Sequence, residues 1–106
     1  MLEKFDKNIS DLDDNKYILK LYVTGSTNRS IRAIANIKGI CEEYLNGRYE
    51  LEVIDLYLSP QFAKMEQIIA APTLIKKSPF PVKRILGDMS DTDKVLLGLD
   101  VRRAGG

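Results

Sequence analysis

The sequence predicts an α/β domain with elements in the order β-α-β-α-β-β-α. Two patterns lead to this order. A branched and aromatic run at Tyr17–Val23 and an alternating run at Tyr49–Ile54 enclose a stretch whose apolar residues recur every three or four positions. Beyond that unit, Pro72 stands directly before a third branched run, and a proline-rich bend separates this run from a fourth. The length agrees: 106 residues, 44% apolar and 29% charged, are enough to close one core without disulfides or metals.

Residues 1–15 carry five acids against two bases, and this −3 segment reads as an acidic leader ahead of a single domain over residues 16–106. Tyr17-Ile18-Leu19-Lys20-Leu21-Tyr22-Val23 has one charge and reads as a strand buried on both faces. Thr24-Gly25-Ser26-Thr27-Asn28 is turn chemistry. Ile31, Ile34, Ile37, Cys41, Tyr44 and Leu45 then define the apolar side of a helix from about Arg29 to Leu45, stopped by Asn46-Gly47. Tyr49, Leu51 and Val53 alternate with Glu50 and Glu52 as the second strand, which a helical crossover of this length makes parallel to the first.

Ser59-Pro60 opens a second helix with a narrow apolar face of Phe62, Met65, Ile68 and Ile69, and Ala70-Ala71-Pro72 ends it. Thr73–Lys77 and Val82–Leu86 are short strands on either side of Ser78-Pro79-Phe80-Pro81. Ser90 caps the last helix, with Asp93 three positions on, and Val95, Leu96 and Leu99 form its apolar face. This element conflicts with its own composition. Gly98 costs a helix about 1 kcal/mol relative to alanine, and the Asp100 carboxylate lies where the helix dipole disfavours it. The element order with a proline before the third strand matches the thioredoxin-like architecture, in which that Ala71–Pro72 bond is cis.

Composition excludes most small-enzyme chemistry. With no His there is no Ser–His or Cys–His activation and no imidazole metal site, and one Cys allows neither a dithiol pair nor a Cys-cluster zinc site. At the turn where thioredoxins place their two cysteines stands Thr27-Asn28-Arg29-Ser30. Cys41 falls on the apolar side of the first helix and reads as a small buried hydrophobe. A net charge of +1 is too weak for sequence-independent nucleic-acid binding, and no apolar run is long enough to span a membrane. The acid-bearing N-terminus does not read as a signal peptide, and a free thiol suits a reducing compartment, so the cytoplasm is expected.

Tyr17–Gly25, Ala71-Pro72-Thr73-Leu74, Val82–Asp88 and Asp93–Asp100, in this order and spacing, resemble the KaiB family of circadian clock proteins. The resemblance implies a non-catalytic protein without a cofactor. Its partners would be a KaiC-like ATPase, whose phosphorylation state it modulates, and a KaiA-like protein or a SasA-type kinase. It also implies two folds: a thioredoxin-like monomer that binds the ATPase, and a ground state with a rearranged C-terminal half that forms a homo-oligomer, a tetramer or dimer. The positions controlling that balance map to Tyr17, Gly98 and Asp100. The partner-contacting bases map to Arg32, Lys76 and Lys83, and Arg84 completes a cluster with Lys76, Lys77 and Lys83. The chain departs from the family in lacking proline after the first strand, in lacking the acidic tail, in carrying Arg103 at an aromatic position, and in its leader.

Three blander or rival readings accompany these. Lys76, Lys77, Lys83 and Arg84 also suit a solvated hairpin face. Asp88, Asp91 and Asp93 suit a turn and a helix start better than a metal site. A thioredoxin-like stress or redox-adaptation protein independent of a clock is the alternative function.

Overall fold

The computed structural model describes residues 16–101; the acidic leader and Arg103 lie outside the described residues. Strand β1 (Tyr17–Val23), helix α1 (Asn28–Tyr44) and strand β2 (Tyr49–Asp55) are followed by α2 (Gln61–Met65), β3 (Thr73–Ser78), β4 (Lys83–Leu86) and α3 (Thr92–Leu99). The strands form one sheet in the order β2-β1-β3-β4. As the βαβ spacing predicts, β1 and β2 are parallel, in register from Tyr17 opposite Tyr49 to Val23 opposite Asp55. β3 runs antiparallel to both β1 and β4.

Strand alternation divides the interior. Tyr17, Leu19, Leu21 and Val23 join Leu74 and Ile85 in a core with Ala33, Ile37, Ile40 and Cys41 of α1 and Val95, Leu96 and Leu99 of α3. Tyr22 and Ile75 belong to a smaller cluster with Leu56, against which Phe62, Ala63 and Ile68 pack. β1 is thus less enclosed than a strand buried on both faces, since Ile18 and Lys20 are half-buried.

Helix α1 occupies the expected span, but its buried stripe is turned. Ser30, Ala33, Ile37, Ile40 and Cys41 are buried, while Ile31 is exposed. Ala33 and Ile40 share the apolar spacing, so periodicity alone did not separate the two stripes; the small Ser30 and Ala33 suit the side that meets the sheet.

Helix α2 is much shorter than its pattern. It ends at Met65, and Met65 and Ile69 are exposed rather than facing the core. Gln67 turns left-handed, with φ 55°, and the Ile68 N–H bonds the Ala63 carbonyl, the closure of a Schellman-type end. This stop comes before Pro72 can act. In the loops that follow, the Ala71–Pro72, Ser78–Pro79 and Phe80–Pro81 bonds are cis.

Helix α3 is capped by Asp91, not Ser90. Asp91 has extended backbone and its carboxylate accepts from the Lys94 N–H at 3.1 Å, leaving Asp93 in the first turn. Val95, Leu96 and Leu99 are buried as their spacing predicts. Among the described residues no helix is long and apolar enough to cross a membrane.

Candidate functional site

At the turn after β1 the two cysteine positions of a thioredoxin hold an internal hydrogen-bond network. Thr27 caps α1 by accepting from the Ser30 N–H, and its hydroxyl donates to Ser30 Oγ at 2.8 Å. Ser30 Oγ also accepts from the Thr24 N–H at 3.1 Å. Both hydroxyls therefore serve to hold the start of α1 against the end of β1. The thiol of Cys41 lies elsewhere, fully buried, and burial together with the neighbouring Glu42 pushes its pKa up to about 12. A thiol so protonated is a poor nucleophile.

The bases singled out from the sequence part into two groups. Lys83 and Arg84 lie exposed on β4, an edge strand of the sheet. Arg84 donates through its guanidinium to the carbonyls of Glu66 and Gln67, which fixes β4 to the end of α2. Arg32 is exposed on α1, 3.2 Å from the Asp88 carboxylate. Asp88 also accepts from the Ser90 N–H. Hydrogen bonds from the Ser90 hydroxyl and backbone, then from Arg32, hold the Asp88 carboxyl below the usual carboxylate range. Asp88 and Asp91 thus act in a turn and a cap, and among the described residues no group of carboxylates, Cys or His is arranged to hold a metal.

Lys76 does not lie with the exposed bases. It stands opposite Leu19 in the β1–β3 ladder, and residues opposite one another share a face, so its side chain points into the core. Its side chain is 1% exposed, and its ammonium lies 3.3 Å from the half-exposed Asp100 carboxylate and 6.0 Å from the centre of the Tyr17 ring. A Lys76 surface contact is therefore unavailable in this fold. Lys77 points to the other face and pairs with Glu66 at 2.9 Å.

Of the three positions that the resemblance assigns to fold balance, Tyr17 and Asp100 meet at Lys76. Asp100 ends α3 in the left-handed conformation, φ 59°, and its carbonyl accepts from the Tyr17 hydroxyl at 3.3 Å. Burial raises the Tyr17 pKa, so the phenol keeps the proton it donates. The carboxylate unfavourable to the helix dipole is thus offset by a buried cation. Gly98 also has a packing reason: a Cβ there would stand 2.8 Å and 2.9 Å from Cδ1 and Cγ1 of Ile85.

Lys94 escaped the sequence reading. It lines a groove of about 500 Å³ between β4 and α3, together with Lys83, Arg84, Leu86 and Leu97. The i, i+3 spacing of Lys94 and Leu97 was a usable signal, since it puts both on one side of α3.

A KaiB domain matches residues 20–101 of the chain. The circadian clock protein KaiB3 of Synechocystis sp. is 53% identical over 90 residues, covering 85% of this chain and 88% of that protein. The circadian clock oscillator protein KaiB of Synechococcus elongatus is 53% identical over 85 residues, covering 80% and 83%. Among solved structures, the N-terminal domain of Synechococcus elongatus SasA superposes with a TM-score of 0.67 at 20% identity, covering 86% of this chain and 89% of that one. Mitochondrial thioredoxin 3 of Saccharomyces cerevisiae gives 0.65 at 14% identity, covering 93% and 88%. These superpositions, with the sheet order and the helices described above, make the fold thioredoxin-like. With the domain match and the identity over most of its length, the chain belongs to the KaiB family.

Proposed function

We propose that this protein is a non-catalytic clock component that binds a KaiC-type ATPase and modulates its phosphorylation state. The carrying observation is the 53% identity to circadian clock oscillator KaiB proteins over most of both chains. The exposed bases Lys83 and Arg84 on an edge strand support a contact with an acidic partner surface, and Arg32 on α1 is a further exposed base. The single thiol, buried and held protonated, favours binding over thiol chemistry. A KaiA-like protein and a SasA-type kinase are the further partners of this reading, and residues 16–106 act as one domain in the cytoplasm.

The reading includes a fold switch. The C-terminal half rearranges into a ground state that forms a tetramer or dimer, and the thioredoxin-like monomer binds the ATPase. The meeting of Tyr17 and Asp100 at buried Lys76, with Gly98 packed on Ile85 two residues earlier, supports a balance point at the end of α3. Binding limited by the competent fraction is weakened by that same fraction.

The test is binding of a purified KaiC-type ATPase by the parent chain and by Lys83→Glu and Arg84→Glu at low salt. Each substitution is expected to weaken binding by about tenfold, equivalent to about 1.4 kcal/mol, and Lys83→Glu is expected to leave the circular dichroism of the free protein unchanged. Equal affinity of all three proteins overturns the assigned surface, and absence of binding by the parent overturns the function.

A further inference from the structure

Strand β4 pairs with β3 on one side and, among the described residues, with no strand on the other. The ladder tells which backbone groups face the open side. One step beyond Thr73 opposite Leu86, the Gly87 N–H donates to the Pro72 carbonyl at 3.0 Å. Hydrogen-bonded pairs alternate with unbonded ones in an antiparallel ladder. Leu74 with Ile85, then Lys76 with Lys83, are therefore the bonded pairs. The N–H and C=O groups of Arg84 and Leu86 point away from β3, toward the open edge.

A groove lies on each side of that edge, and strand alternation gives the two different chemistry. Lys83 and Ile85 project toward α3, Arg84 and Leu86 toward α2. On the α3 side, a groove of about 500 Å³ is walled by Lys83, Lys94 and the exposed Leu97. On the α2 side, a groove of about 560 Å³ is walled by Ile69 and Leu86, both exposed, with Thr73 at its floor. The cation on that side, Arg84, is engaged by the Glu66 and Gln67 carbonyls. Among the described residues no acid lines either groove, and the salt bridges there involve neither Lys83 nor Lys94. One side of the edge is thus basic and the other apolar.

An added strand bonds such an edge through its backbone and sends alternate side chains to the two sides. In an antiparallel strand, residues opposite Arg84 and Leu86 face the apolar side, and those opposite Lys83 and Ile85 face Lys94 and Leu97. An acid opposite Lys83 makes a favourable cross-strand pair, whereas a second β4 would set bases against bases. The acids Glu50 and Glu52 of β2 are already paired, with Lys16 and Lys20, so a second copy's β2 is poorly matched. We infer that β4 accepts an extended acidic segment of a partner protein as an antiparallel strand, bonded to the backbone of Arg84 and Leu86, with acids toward Lys83 and Lys94 and apolar residues toward Ile69 and Leu86. Assigning that segment to the KaiC-type ATPase rests on the reading above; the strand addition does not.

The probe is the peptide Ser-Glu-Val-Glu-Val-Glu-Ser, acetylated and amidated, titrated into the ¹⁵N-labelled full chain while amide exchange is followed. At saturation the outward amides of Arg84 and Leu86 are expected to exchange about fivefold more slowly, with Glu50–Val53 of β2, the other edge, unchanged. Methylating the two valine amides, which donate to β4, is expected to weaken binding about tenfold, and methylating the glutamate amides to change it less than about twofold. The double variant Lys83→Glu, Lys94→Glu is expected to bind this peptide about tenfold more weakly and to prefer its counterpart with Lys for each Glu. Protection at neither Arg84 nor Leu86 with up to about 5 mM peptide, or equal protection at β2, overturns the inference. Equal binding of Ser-Glu-Glu-Glu-Val-Val-Ser overturns the alternation, and a larger effect of methylating the glutamates overturns the antiparallel orientation. Protection of the two amides that grows with protein concentration in the absence of peptide assigns the edge to a second copy and also overturns it. If the peptide adds as described and the parent chain binds no ATPase, the strand addition holds and the proposed function fails. Binding of the ATPase that leaves both amides unprotected overturns strand addition as the manner of that contact.

Discussion

The two halves of this molecule are built on different terms. Tyr17–Asp55 consists of two seven-residue strands in unbroken parallel register and a 17-residue helix with a side-chain cap and five buried positions. Each element there forms over the span its period predicts, although packing turns the buried stripe of α1. From Gln61 to Leu99 the elements are shorter: a five-residue helix with no buried residue, a four-residue edge strand and an eight-residue helix. All three non-glycine residues with positive φ among the described ones, Gln67, Met89 and Asp100, also fall in this half. The β1–β3 ladder and the shared core hold the second half to the first, with side-chain ties from Tyr17 to Asp100 and from Arg32 and Asn36 to Asp88. A region of short elements that depend on tertiary contacts is the one to which the proposed fold switch assigns its second packing.

The largest test of this contrast is the ion pair under α3. Asp100→Asn keeps a residue that tolerates the left-handed conformation but leaves the Lys76 ammonium buried without its countercharge. A loss of about 2 kcal/mol is expected in urea unfolding, reduced from the cost of a fully buried pair because Asp100 is half exposed. Lys76→Met removes the buried charge and leaves a carboxylate that water can solvate, so it should cost under about 1 kcal/mol. Equal losses for the two variants would mean that the pair does not anchor the helix.

Gly98 gives a smaller effect with an informative sign. Gly98→Ala should recover less than the ~1 kcal/mol of helix propensity, because the new Cβ displaces Ile85. Combined with Ile85→Val, the double variant should exceed the sum of the two singles by about 0.5 kcal/mol or more. Strict additivity in a double-mutant cycle would remove Ile85 as the reason for the glycine.

The smallest effect concerns the tie between α1 and the turn before α3. The Asp88 pKa is lowered in the fold, so its contribution is present above the ordinary carboxylate value, about 3.9, and is lost as pH falls below it. Amide exchange at Met89–Lys94 is expected to quicken on acidification before exchange in β1 does. Simultaneous loss of protection in both places would argue that the halves open together.

Much of the fold was readable from residue spacing, and the failures have local causes. The βαβ unit followed from Tyr17–Val23, the three- and four-residue recurrence through Cys41, and the alternation of Tyr49–Val53, because each is long enough for its period to be unambiguous. Helix α2 was overextended because Met65 and Ile69 fit an apolar spacing, yet the left-handed Gln67 closes the helix earlier and leaves both in solvent. Asp91 displaced Ser90 as the cap, a shift of one residue between two good capping types. At the candidate site, Lys83 and Arg84 stayed on the surface as their charge suggests, whereas Lys76 did not. Its alternation with Leu74 already put it on the core face, but only a countercharge from another element makes that position tenable.

The sequence by itself therefore determined the element order, the parallel first unit and the lack of a cysteine pair or an imidazole, since these follow from residue type and period alone. Tertiary structure decided which lysine is buried, why residue 98 is glycine and how Asp100 is tolerated. Each of those depends on distances between β1, β3, β4 and α3, and a side chain's neighbours across a sheet are set by strand pairing, which local sequence does not encode.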